Sequence, residues 1–117
     1  MAKTERDIVT RALRRIRRIA TNETPAADLY AEALEEYEGF HQWLIKEFRG
    51  QISWNQNSVP EPYWTYISGW FAGDLSDVIP TSDSDKANAK SGAALAETRL
   101  REMLARKKLQ DVEAVYF

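Results

Sequence analysis

Glu38-Gly39-Phe40-His41 has the Glu-x-x-His spacing by which one helical turn offers a carboxylate and an imidazole to a single metal ion. A di-iron bundle needs two such motifs and two further carboxylates. This chain has one His and no Cys, so only a symmetric oligomer could complete the set. His41 also falls on an apolar helical seam, and the plainer reading is a core or interface histidine. The absence of Cys excludes a thiol nucleophile, a disulfide framework and a Cys-ligated zinc or iron–sulfur site. Ser-His-acid chemistry would have to draw on the same His41, and no Gly-x-Ser-x-Gly elbow is present. The 5 glycines are scattered, and none precedes a Lys-Ser or Lys-Thr pair, which excludes a phosphate-cradling loop. Glu32 and Glu36 resemble a solvated helix face more than the paired acids of a glycosidase cleft. The expectation is a protein that is not an enzyme and carries no cofactor and no metal.

The other residues with chemical potential are arginines. Arg11, Arg14, Arg15, Arg17 and Arg18 fall within eight positions. The net charge of −2 conceals a segregated layout: residues 1–18 carry +5, 19–58 carry −5, 59–85 carry −5 and 86–117 carry +3. Basic ends and an acidic middle can match within one fold or between neighbouring copies. The arginines could hold nucleic-acid phosphates, as in a small helical regulator. They could equally pair with Glu32, Glu35 and Glu36 of another copy, where the guanidinium fork suits carboxylates. The first use is disfavoured by the acidic middle and by the lack of a recognition helix after a tight turn.

These groups need elements to carry them, and the periodicity is helical throughout. A chain of 117 residues makes one domain. Thr4 and Asp7 make a capping box for a first helix over 5–19, with Ile8, Ala12, Ile16 and Ile19 on its apolar side. Thr24 and Pro25 open a second helix over 25–49, whose seam is Tyr30, Leu34, Tyr37, His41, Leu44 and Phe48, stopped by Gly50. A polar loop with Trp54 and two prolines follows. A third helix covers 61–78, with Trp64, Ile67, Phe71, Leu75 and Val78 inward and Pro80 as its stop. A fourth covers 85–107, with a small-residue stripe of Ala89, Ala93 and Ala96 leading to Leu100, Met103 and Leu104. Gly69 and Gly73, four apart on helix three, predict close helix packing. The apolar run 63–79 is under 18 residues and contains Asp74 and Asp77, so no membrane span is expected. No apolar stretch follows the N-terminus, and cytoplasmic synthesis is expected.

Beyond Arg106-Lys107-Lys108 the chain turns apolar again, with Leu109, Val112, Val115, Tyr116 and Phe117. Such a segment has no obvious place in a four-helix core. The expected architecture is therefore all-α: a four-helix domain over 1–108 with a long second helix, and an extended C-terminal docking tail over 109–117.

The stretch Asp7-Ile8-Val9-Thr10-Arg11-Ala12-Leu13-Arg14-Arg15-Ile16 resembles the opening helix of the head-to-tail adaptor (connector) family of tailed bacteriophages, which includes adaptors of gene transfer agents. The order that follows is similar too. A loop rich in Thr, Asn, Glu and Pro leads to a long helix containing Ala33-Leu34 and ending near Trp43-Leu44 and Arg49-Gly50, then to a proline-opened third helix and a fourth. Members often carry Gly shortly after the Ala-Leu-x-x-Ile step, where this chain has Arg17. The 51–62 loop departs from the family pattern. The resemblance implies a virion protein at the head–tail junction, assembled in the host cytoplasm. It implies a ring, usually of twelve copies, beneath a portal protein. Its partners would be the portal, neighbouring copies and a downstream neck or tail protein. Packaged DNA would cross its channel without sequence-specific binding. By position, 109–117 corresponds to the family's portal-reaching tail.

Overall fold

The computed structural model describes the backbone of residues 2–116 and the side chains of residues 2–107. It contains four helices: α1 (Glu5–Arg15), α2 (Ala27–Glu47), α3 (Glu61–Val78) and α4 (Asp83–Tyr116). No strand occurs among the described residues. An isolated antiparallel bridge joins Lys3 to Val59 through backbone bonds of 2.8 and 2.9 Å.

α1 starts as its sequence predicts. The Asp7 N–H donates to Thr4 Oγ1 at 3.3 Å and the Thr4 N–H donates to Asp7 Oδ2 at 3.0 Å. It ends earlier than the expected Ile19. Arg17 adopts φ 57°, its N–H donates to the Arg14 carbonyl, and the Arg18 N–H donates to the Leu13 carbonyl. That pair of bonds is a Schellman close with Arg17 in the left-handed position. Ile16 and Ile19 remain buried beyond the helix, so the apolar repeat outlasts the helical backbone.

α2 opens two residues later than expected. Ala26 is its N-cap with no side-chain bond, while Pro25 is buried just before it. Phe48 caps its C-terminus, and Arg49 (φ 38°) and Gly50 (φ 84°) turn the chain away. The predicted seam is inward, with Tyr37, His41, Leu44 and Phe48 buried and Tyr30 and Leu34 half-buried.

α3 matches its expected span and is the central helix. From Ile67 to Leu75 nearly every residue is buried, whichever way it points. A helix apolar on all sides needs neighbours on all sides, and α3 has α1, α2 and α4 against it. Val78, expected inward, is 45% exposed, and Ile79 beyond the helix end is buried in its place.

The α3–α4 contact is the most extensive. Gly69 and Gly73 lie against the Ala89-Ala93-Ala96 stripe. A Cβ at Gly69 would sit 3.4 Å from Ala96 Cβ, and one at Gly73 would overlap Ala93 Cβ. Lys90 and Lys86 reach Asp77 across the joint at 2.6 and 3.2 Å. α4 begins at Asp83, because the Ser82 hydroxyl accepts from the Asp85 N–H at 3.3 Å. It continues through Tyr116, past the expected end at Lys107. Residues 109–116 are thus helical backbone and not an extended tail. No Gly or Pro interrupts the chain there, and a basic triplet favours a helix end without breaking a helix.

The 51–62 loop is a structural strap. Trp54 is buried and stacks on Tyr63 at 5.0 Å between centroids. The Glu5 N–H donates to Asn57 Oδ1 at 3.1 Å, and the Gln56 amide donates to Glu5 Oε2 at 2.9 Å. The loop thereby supplies partners to the first turn of α1.

Candidate interaction surfaces

Four cations converge where α1 meets the start of α3. The Arg11 guanidinium lies 4.6 Å from the centroid of the Trp64 ring, and Lys3 Nζ lies 4.8 Å from it. Arg14 and Arg15 complete an open pocket of about 480 Å³ that Thr21 and Asp7 border. Asp7 is the one acid among the described residues that border it, and that carboxylate is committed to the capping box of α1. Partial burial, then the charge of Arg15, holds the Arg11 guanidinium below its usual value. Its Nε is buried without a hydrogen-bond partner. Cation–π contact with Trp64 offsets part of that cost.

Arg15 links this pocket to a second hollow. Its guanidinium lies 3.9 Å from where a Gly69 Cβ would stand and 3.7 Å from the corresponding point at Gly92. The two glycines leave it room to lie over the α3–α4 seam. On the far side, Tyr66, Leu95 and Arg99 border a hollow of about 200 Å³, and Leu95 is exposed there.

The sequence-predicted charge residues divide into three groups. Arg11, Arg14 and Arg15 come together in the basic pocket. Arg17 instead pairs with Asp85 at 3.5 Å, and Arg18 is exposed with no partner among the described residues. Glu32, Glu35 and Glu36 are exposed along α2, with no ion pair or hydrogen bond to any described residue. Glu35 and Glu36 border a hollow of about 330 Å³ with Gly39, Phe40, Phe71 and Asp74. Burial, then the charge of Asp77, pushes the Asp74 carboxyl up. The proposed docking residues Leu109, Val112, Val115, Tyr116 and Phe117 lie outside the described side chains.

Glu38 and His41 do not converge as ligands. Glu38 is exposed and accepts from the Gln56 amide at 3.4 Å, while His41 is 3% exposed among aromatic rings. Burial lowers the His41 imidazole from its usual value, and its Nδ1 has no partner. No group of three or more His, Cys, Asp or Glu suited to a metal occurs among the described residues. No described helix is long and apolar enough to cross a membrane.

Sequence reasoning missed Lys3 and Trp64 as parts of the basic pocket. Trp64 opens the apolar seam of α3 and reads as core. It is half-buried at the edge of the core, with Lys3 and Arg11 over its ring. Arg101 was missed as well. It spans α4 to α2 through Glu97 at 2.9 Å and Glu47 at 3.2 Å, and lies over Phe48 and Trp70. The surplus of acids in 19–58 was the available signal for it. Beside it Trp43, 44% exposed, meets the Trp70 ring edge-on at 5.4 Å.

Compared with known proteins, the chain matches no family model, no curated protein and no solved structure.

Proposed function

We propose that this protein is a structural subunit of the head-to-tail adaptor type, working by assembly and performing no reaction. In this reading copies form a ring beneath a portal, extend its DNA channel and present a surface to a neck or tail component. The observation that carries it is the close of α1. Members of the family often carry a glycine shortly after the Ala-Leu-x-x-Ile step; here Arg17 stands there, and it holds φ 57°. A left-handed backbone at that point is what a glycine would serve. The chain therefore keeps the turn that the family pattern implies while lacking the residue that makes it easy. The helix order and the span of α3 support the same reading.

The last turns of α4 are the proposed portal contact. Its apolar residues in the sequence are Leu109, Val112, Val115, Tyr116 and Phe117. Many equal contacts around a ring multiply a weak individual one. Deletion of residues 112–117 is expected to abolish co-sedimentation with assembled portal while leaving circular dichroism that of a folded helical domain. Retention of binding by the deleted chain counts against the assignment. Particle imaging of chain mixed with portal reads the ring directly.

The cluster of Lys3, Arg11, Arg14 and Arg15 favours one second reading, a helical regulator gripping nucleic-acid phosphates. It predicts duplex binding that weakens steeply with salt and is lost when Arg14, Arg15 and Arg18 become Ala.

A further inference from the structure

The basic pocket and the acidic helix lie on one chain and leave each other unpaired. α1 packs against α2. Even so, Arg14 and Arg15 make no ion pair with any described residue, and neither do Glu32, Glu35 and Glu36. Asp28, Glu32, Glu35 and Glu36 are all exposed and repeat at helical spacing, so α2 carries an acidic stripe. Gly39 continues that stripe one turn on. A Cβ there would meet nothing within 4 Å, so packing within the chain gives no reason for a glycine that weakens the middle of a helix. What its absent side chain provides is a low point on the stripe, where another surface can come close to the backbone.

We infer that the acidic stripe of α2 in one copy seats in the arginine pocket of a second copy. This deepens the adaptor reading and rests on it. The pocket supplies guanidinium forks from Arg14 and Arg15 and a surplus of positive charge, which carboxylates of a facing helix can satisfy bidentately. The stripe supplies those carboxylates with no internal competitor. The two surfaces are different patches, and the ring of the adaptor reading requires the contact between them to be heterologous. Each copy gives its stripe to one neighbour and its pocket to the other, and the assembly either closes as a ring or continues as a filament.

The test uses the full chain at low and high salt, with native mass spectrometry and sedimentation velocity. Wild-type chain is expected to form species larger than dimers at about 20 mM salt and to dissociate at about 500 mM, where screening is strong. Arg14→Gln/Arg15→Gln and Glu32→Gln/Glu36→Gln are each expected to associate at least about tenfold more weakly, with unchanged helicity. An equimolar mixture of the two should give a heterodimer and stop there, because one competent stripe meets one competent pocket. A wild type that stays monomeric at low salt overturns the inference. So do variants that assemble like wild type, or that lose only binding to duplex DNA. If a ring forms on portal from the variants as readily as from wild type, the inference falls and the adaptor reading stands. If the heterodimer forms as expected but portal is never bound, the interface stands and the adaptor reading falls.

Discussion

Arg11 lies over the face of Trp64, and the pair joins α1 to the start of α3 at the edge of the hydrophobic core. The guanidinium is partly desolvated, so the ring quadrupole is felt more strongly than at an open surface. A double-mutant cycle with Arg11→Gln and Trp64→Leu is expected to give a coupling energy of about 0.5–1 kcal/mol in urea unfolding. Lys3 reaches the same ring, so the coupling should rise when Lys3 is also removed. Strict additivity of the two changes would mean that the contact contributes nothing.

Two glycines with the same helical setting should respond oppositely to alanine. At Gly73 the new methyl overlaps Ala93 Cβ, and the α3–α4 contact cannot widen without opening the rest of the seam. Gly73→Ala is expected to destabilise the fold by about 1–3 kcal/mol. Ala93→Gly in the same chain should recover part of that loss, because it removes the atom that is struck. At Gly39 the methyl meets open space, and Gly39→Ala should raise stability by about 0.5–1 kcal/mol in dilute solution. Equal effects at the two sites would contradict the packing described.

Arg17 is a non-glycine residue in a position that glycine occupies at little cost. Its pairing with Asp85 at 3.5 Å is solvent-exposed on the arginine side and contributes little. Arg17→Gly is therefore expected to raise the unfolding free energy by about 0.5–1 kcal/mol, despite the loss of a charge pair. Arg17→Val should lower it, since a β-branched side chain fits the left-handed region poorly. Thermal melts of the two variants on either side of wild type would establish the sign.

The sequence discloses what depends on local chemistry. The capping box of Thr4 and Asp7, the whole span of α3, and the packing of Gly69 and Gly73 on the alanine stripe follow from residue type and spacing. The boundaries that fail have a common cause. The end of α1 is set by an arginine forced into a glycine conformation, and propensity gives no warning of that. The start of α2 lacks the side-chain cap that Thr24 promised: Ala26 takes the N-cap position, and Pro25 lies buried before it. The basic pocket was half legible. Arg11, Arg14 and Arg15 are conspicuous in sequence, but Lys3 and Trp64 join them only through the Lys3–Val59 bridge and the docking of α3, which are tertiary facts. Arg17 looked equivalent to its neighbours until the backbone turned it toward Asp85.

His41 ties stability to acid in a definite direction. Burial lowers its folded value below the unfolded value of about 6.5. The unfolded chain then binds the proton more readily than the folded one. Stability from the neutral, buried imidazole is fully present above the unfolded value, and is lost as pH falls from there toward the folded value. Unfolding free energy should therefore decline across the window that opens as pH falls below about 6.5. His41→Phe removes the titrating group while keeping an aromatic ring beside Tyr37 and Phe40. In that variant the slope across the window should flatten, while stability at pH 8 changes little. A slope that survives the substitution would assign the acid sensitivity to groups other than His41. Asp74 predicts the opposite sign. Its carboxyl is pushed up by burial and by Asp77, so its protonation on the acid side favours the folded chain. Asp74→Asn and His41→Phe should consequently alter the acid limb in opposite senses, and urea titrations at half-unit pH steps would separate them.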